Sequence, residues 1–190
     1  HGGVFNFLSS QNLSVNVRIA NSSFYLRNPA TGDAPILVHG TMLDEAYVVG
    51  RTLSGHLFNL SYVANPREVT AESVEASCSS KEGAAARYPI KPHTESACDN
   101  LRVTMSSSKM ILVAPDWRVT IKRQRVLDRV DGGERRIDMD LELLSPEAEL
   151  PTMPHGIIGQ SWDGDGMAVD GQLDQYPRVQ GAVFTTYAMG

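Results

Sequence analysis

The 190-residue sequence lacks any apolar run of about 18 residues, the length a helix needs to cross a bilayer, so no helical membrane insertion is expected. It also lacks a basic excess. Against 17 Lys and Arg stand 22 Asp and Glu, a formal net charge of −5, which gives no basic surface for nucleic acid or anionic lipid. Cysteine is reduced to Cys78 and Cys98, so no Cys-x-x-Cys zinc spacing exists, and His-Glu-x-x-His is absent too. There is no Gly-x-Ser-x-Gly elbow to expose a nucleophilic serine. The glycines of "HGIIGQSWDGDG" (155–166) are not followed by Lys-Ser/Thr, so they do not make a phosphate-cradling loop. Helical three-and-four spacing is scarce as well, which leaves few grounds for a helical fold.

What is present is a globular composition, 42% hydrophobic and 21% charged, in a chain of the size of one domain. Alternation of apolar and polar residues dominates. In "LSVNVRIA" Leu13, Val15, Val17 and Ile19 point one way and Ser14, Asn16 and Arg18 the other, the pattern of a half-buried strand. With "VFNFL" (4–8) before it and "SSQN" between, the two form an expected hairpin. A second hairpin pairs "WRVTIKRQRVL" (117–127) with "RRIDMDLELL" (135–144) across "DRVDGGE". Its outward rows, Arg118, Thr120 and Lys122 against Asp138, Asp140 and Glu142, are of opposite charge and should fix the register. Further strands are expected at 23–27, 34–41, 45–53, 56–64, 101–108, 109–115 and 182–188. The fold class is therefore all-β, a two-sheet antiparallel β-sandwich spanning 1–190 as a single domain.

The segment from Pro66 to Asp99 breaks the pattern and is expected as a surface insert, a short helix over "REVTAESVEASC" followed by loop. Cys78 and Cys98 sit at its ends. A disulfide between them would stabilise the fold by roughly 3 kcal/mol in the chain-entropy model, and two unrelated buried thiols are the alternative. Three sequons, at Asn12, Asn21 and Asn59, point with the cysteine pair to an oxidising, extracellular setting and to attached glycans. The chain starts at His1 rather than Met, as a mature form or a fragment would.

Three constellations carry candidate chemistry. Asp163, Asp165 and Asp170, with the Gln160 amide, offer hard oxygen ligands in a glycine-rich run that suits calcium, although the spacing departs from an EF-hand. His1 suggests a copper-dependent polysaccharide monooxygenase, the N-terminal amine and imidazole joining His39, His56, His93 or His155 in a histidine brace. Trp117 and Trp162 suggest a carbohydrate-binding module if their faces are exposed and aligned.

The run "HGIIGQSWDGDGMAVDGQLDQY" resembles the terminal motif of von Willebrand factor type D-like extracellular domains, in particular their cysteine-poor branch of root cap protein-like and algal or protist surface proteins. "GGVFNFLSSQNLSVNVRI" (2–19) is similar to that family's early strand pair. The resemblance implies a calcium site built from Gly159, Gln160, Asp163, Asp165 and Asp170, with His155 and Gly156 bracing its approach. It implies a non-catalytic structural or adhesive module, with other extracellular modules as partners. Two departures stand out. Ile158 occupies a position that is cysteine in cysteine-rich members, and the family's first strand is missing before His1, which suggests an open slot for self-assembly by strand addition.

Overall fold

The computed structural model describes residues 3–27, 32–66, 74–79, 86–87, 90, 92–127, 130, 134–144, 150, 154 and 156–158. Among these residues there is no helix, and eleven strands form two antiparallel sheets, so the chain is an all-β sandwich. The first sheet is a meander of β1 (Gly3–Ser9), β2 (Leu13–Leu26), β3 (Ile36–Arg51), β4 (Leu57–Val63), β5 (Val74–Ser79) and β6 (Ala86–Arg87). The second is a meander of β7 (Glu95–Cys98), β8 (Leu101–Met105), β9 (Lys109–Val113), β10 (Trp117–Arg125) and β11 (Arg135–Leu143). Among the described residues the strands of each sheet follow one another in sequence.

The alternating apolar positions meet between the sheets. Leu13, Val15, Val17, Val48, Phe58 and Leu60 from the first sheet face Leu101, Met110, Leu112, Val119 and Ile121 from the second, all at most 1% exposed. At Gly50 the sheets approach closely enough that a Cβ would stand 2.7 Å from Leu101 Cδ1. Trp117 fills the same core at 1% exposure, so its ring offers no sugar-stacking face.

Both expected hairpins form. Opposite β10, the residues of β11 fall as the charge rows require, with Arg118 facing Glu142 and Lys122 facing Asp138. Arg118 bonds Glu142 at 2.6 Å. Lys122 reaches diagonally to Asp140 at 2.8 Å, while Asp138 bonds Arg136 on its own strand at 3.0 Å. These exposed pairs set register and contribute only tenths of a kcal/mol each.

Two strands run longer than the sequence pattern suggests. Segments 13–20 and 23–27 are one strand, as are 34–41 and 45–53, because a bulge rather than a turn interrupts the alternation. Arg18 pairs with Glu45 but Ile19 pairs with Leu43, leaving Asp44 as the extra residue. Asp44 then works as a tie. Its carbonyl accepts from Ala64 N at 2.9 Å and its carboxylate from Asn65 Nδ2 at 3.0 Å. Asn65 in turn holds the second sheet, donating to Arg135 O at 2.7 Å and accepting from the amides of Glu134 and Arg135 at 3.2 and 3.0 Å.

Beyond the bulge β1 and β4 no longer pair, so residues 20–26 and 36–42 continue as a two-stranded ribbon. Its far end exposes two cross-strand apolar pairs, Tyr25 with Leu37 and Leu26 with Ile36.

The expected helix over 67–78 is corrected where the structure describes it. Val74, Ala76 and Cys78 alternate with Glu75, Ser77 and Ser79, and β5 pairs with β4 from Leu57↔Ser79 to Tyr62↔Val74. Ala, Ser and Glu state no strong strand preference, so the available edge of β4 decides. The 66–99 segment thus completes the first sheet and starts the second. Its disulfide, Cys78 on β5 to Cys98 on β7 with Cα atoms 6.1 Å apart, is a covalent link between sheets.

Candidate functional site

The core-facing alternation of β2 turns Ser14, Asn16 and Arg18 to the opposite face of the first sheet. Pairing there sets Ser14 beside Ser9, Asn16 beside Asn6 and Tyr47, and Arg18 beside Glu45. An outer face of this composition would ordinarily be solvated. Instead Ser9 and Ser14 are 0% exposed, Asn16 1% and Asn6 2%.

Buried polar groups need partners, and these have them. Asn6 Nδ2 donates to Asn16 Oδ1 at 2.8 Å, with Ser9 Oγ and Ser14 Oγ at 3.2 and 3.4 Å, and the two serine hydroxyls bond each other at 3.2 Å. Farther along, Glu45 Oε2 accepts from Arg18 Nε at 2.7 Å and from the Tyr47 hydroxyl. Burial first, and then that bond to Glu45, push the Tyr47 phenol up to about 12. The result is two neighbouring polar clusters on one face, Asn6, Ser9, Ser14 and Asn16 in one and Arg18, Glu45 and Tyr47 in the other.

Gly156, Ile157 and Ile158 dock on the edge of this hairpin, at the β1 bulge between Asn6 and Leu8. Ile157 N donates to Asn6 O at 3.0 Å and Ile158 N to Phe7 O at 2.9 Å. Gly156 has φ +98°, and a Cβ on it would stand 2.6 Å from Asn6 Oδ1 and 2.7 Å from Phe7 C and O. Only glycine satisfies both the dihedral and the contact. The two stretches that carry the family resemblance, near the two ends of the chain, therefore touch.

The calcium ligands expected from the sequence, Gln160, Asp163, Asp165 and Asp170, lie outside the described residues, as do His1, His155, Gly159, Trp162 and strand 182–188. What the structure places is the approach: Gln160 follows two residues and Asp163 five residues past Ile158, whose amide is fixed on β1. The same bonds occupy β1 carbonyls that an added strand would use, so an open slot at this edge is partly filled by the chain itself. Of the candidate copper partners, His39 sits on the exposed ribbon bonded to Ser23 Oγ at 2.8 Å, His56 precedes β4, and His93 precedes β7 with φ 60°. The sequon residue Asn21 is exposed on the ribbon; Asn12 in the β1–β2 turn and Asn59 in β4 are half-buried.

Two features escaped the sequence reading. The first is the burial of the Asn6–Asn16 ladder, for which alternation gave the face but not its covering. The second is the placement of His56, expected only as a copper partner, beside both cysteines, with one ligand-type atom of each of the three residues within 4.8 Å of the others. At the opposite end of the sandwich from the disulfide, Tyr62, Val74, Ile90, Met105, Ser107 and Arg123 also line a cavity of about 350 Å³, near the lower limit for small-ligand sites. Desolvation raises the Tyr62 phenol there, opposed by Arg123 and Arg135. Comparison with family models, with curated proteins and with solved structures gives no match to this chain.

Proposed function

We propose that the chain is a non-catalytic extracellular module with a structural or adhesive role in a cell-surface or matrix assembly, of the type D-like kind that its two terminal motifs resemble. Calcium on Gln160, Asp163, Asp165 and Asp170 stiffens the run that follows the docked Ile158. The observation that carries the adhesive role is the β2–β3 ribbon. Residues 19–26 and 34–43 contain no charged side chain, whereas β11 alternates charge along its length. Natural edges are usually blunted by charge or covering, and an uncharged ribbon with exposed Tyr25, Leu26, Ile36 and Leu37 is a surface suited to pairing with another module. Strand addition fits the far end of this ribbon, at Tyr25, Leu26, Ile36 and Leu37, beyond the point where Val130 N bonds Ser23 O at 2.8 Å.

The test couples the protein to beads and follows their clustering in calcium and in chelator. Clustering in calcium that is lost in an Ile36→Glu/Leu37→Glu double variant with unchanged far-UV circular dichroism supports the reading. Clustering that persists in that variant, or no clustering of wild type alone or with extracellular matrix proteins, ends it. A calcium-dependent rise in Tm that vanishes in Asp163→Asn/Asp165→Asn tests the metal separately.

A further inference from the structure

The turn between β3 and β4 and the turn between β7 and β8 meet at one end of the sandwich. Leu53 N donates to Asn100 Oδ1 at 2.9 Å and Ser54 N to Asp99 Oδ2 at 3.0 Å, so the two turns hold each other across the sheets. Asp99 sits at φ 54°, and the Ser54 bonds hold its carboxyl below the usual range. Within the first turn, Gly55 N donates to Thr52 O and His56 N to Thr52 Oγ1, each at 2.9 Å. His56 is thus positioned by backbone bonds that do not involve sulfur. Beside it stand Cys78 and Cys98, and one ligand-type atom from each of the three residues lies within 4.8 Å of the other two.

We propose that reduction of the Cys78–Cys98 bond turns this cluster into a site for one thiolate-preferring divalent cation of the zinc class, held by Cys78 Sγ, Cys98 Sγ and a ring nitrogen of His56. The donor set fits that class and not a hard cation such as calcium, because it offers two sulfurs and an imidazole and no oxygen. The distances fit as well. Zinc–sulfur bonds of about 2.3 Å and zinc–nitrogen bonds of about 2.0–2.1 Å in a tetrahedron put neighbouring donors about 3.5–3.8 Å apart. Donors already gathered within 4.8 Å on strands whose cysteine Cα atoms are 6.1 Å apart reach that spacing by side-chain rotation. Three protein ligands leave a fourth position for water or an external donor.

The chemistry balances with a dithiol as reductant. It gives two electrons and two protons to the Cys78–Cys98 bond and leaves as its own disulfide, and the two thiols then lose their protons as the cation binds. The cation takes over the link between β5 and β7. This inference is independent of the adhesive role and of calcium.

The test reduces the full chain with a phosphine, removes the reductant under argon and titrates cobalt(II), then zinc(II) in competition with a coloured chelator. One equivalent of cobalt should give sulfur-to-metal charge transfer and tetrahedral visible bands, displaced by zinc, while the oxidised protein gives neither. His56→Ala should weaken binding by about tenfold or more, since even outer partners of a metal site are worth that much, and His93→Ala should not. If the reduced chain loses its β-sheet circular dichroism, one equivalent of zinc should restore it. Equal binding by oxidised protein, no effect of His56→Ala, or a reduced chain that zinc neither binds nor refolds would overturn the proposal.

Discussion

Replacing Gly156 by alanine tests the link between the hairpin and the acidic run. The residue sits at φ +98°, where an alanine costs about 1–2 kcal/mol in backbone strain alone. Its Cβ would meet Phe7 C and O at 2.7 Å, and these are backbone atoms that no rotamer change moves away. Relief therefore requires the segment to lift, which gives up the amide bonds of Ile157 and Ile158 to Asn6 and Phe7, each worth about 1 kcal/mol net. The cost is about 2 kcal/mol where lifting relieves the strain and about 3–4 kcal/mol where strain and lost bonds are both incurred, a large share of the 5–15 kcal/mol typical of a domain. Two measurements separate global from local loss. Urea unfolding reads the whole domain through its midpoint, and native-state hydrogen exchange reads the amides of Ile157 and Ile158 directly. The expected outcome is fast exchange at both amides together with a lower midpoint or, where the segment lifts alone, fast exchange with the midpoint kept. Protected amides at positions 157 and 158 in the alanine variant, with stability within about 0.5 kcal/mol of wild type, would refute the argument.

Asn65→Ala removes four bonds that tie Asp44 to Arg135 across the sheets, and should cost about 2–3 kcal/mol in urea unfolding; a change under about 0.5 kcal/mol would mean the tie carries nothing. Tyr47 has a folded-state pKa raised from 10.0 to about 12, so its contribution to stability is intact below pH 10 and falls away as pH rises toward 12. Wild type should therefore lose stability over that window relative to Tyr47→Phe, and equal slopes for the two proteins would contradict it. Gly50→Ala places a methyl group 2.7 Å from a Leu101 methyl in the closed core, and overpacking of this kind should lower stability by about 1–3 kcal/mol, an effect reversed in the Leu101→Val background.

How much of this was visible in the sequence depends on whether a feature is local. The β10–β11 hairpin and the faces of its two strands are legible in the sequence, because alternation, a turn-forming link and opposed charge rows all agree. β2 and β3 each look like two pieces in the sequence, since one inserted residue, Asp44, shifts the parity of β3 and "NSS" lowers the apolar signal of β2; continuity there is held by pairing, which leaves no local mark. β5 leaves no strand signal of its own for the same reason, its strand state coming from β4. At the candidate site, the faces of Ser14 and Asn16 could be read and their burial could not. Gly156 stood in a recognisable motif, yet its requirement for glycine arises from Phe7, some 149 positions away.

Among the described residues each sheet takes its strands from consecutive parts of the chain, and no strand of one sheet pairs with a strand of the other. Their union rests on the apolar core and on ties at the two ends: Cys78–Cys98 with the Asp99 and Asn100 turn at one, Asn65 between Asp44 and Arg135 at the other. Core burial is non-directional and does not by itself fix how two sheets are aligned. The end ties supply that alignment, which gives them leverage beyond their individual energies. A change of chemistry at one end, such as exchange of a covalent link for a metal, can then alter how the sheets are held without unpicking the packed interior. The ribbon extends past the Asn65 end, where β1 and β4 have stopped pairing, and it is held by the Asp44–Asn65 tie at its base and by Val130 N, which donates to Ser23 O at 2.8 Å farther out.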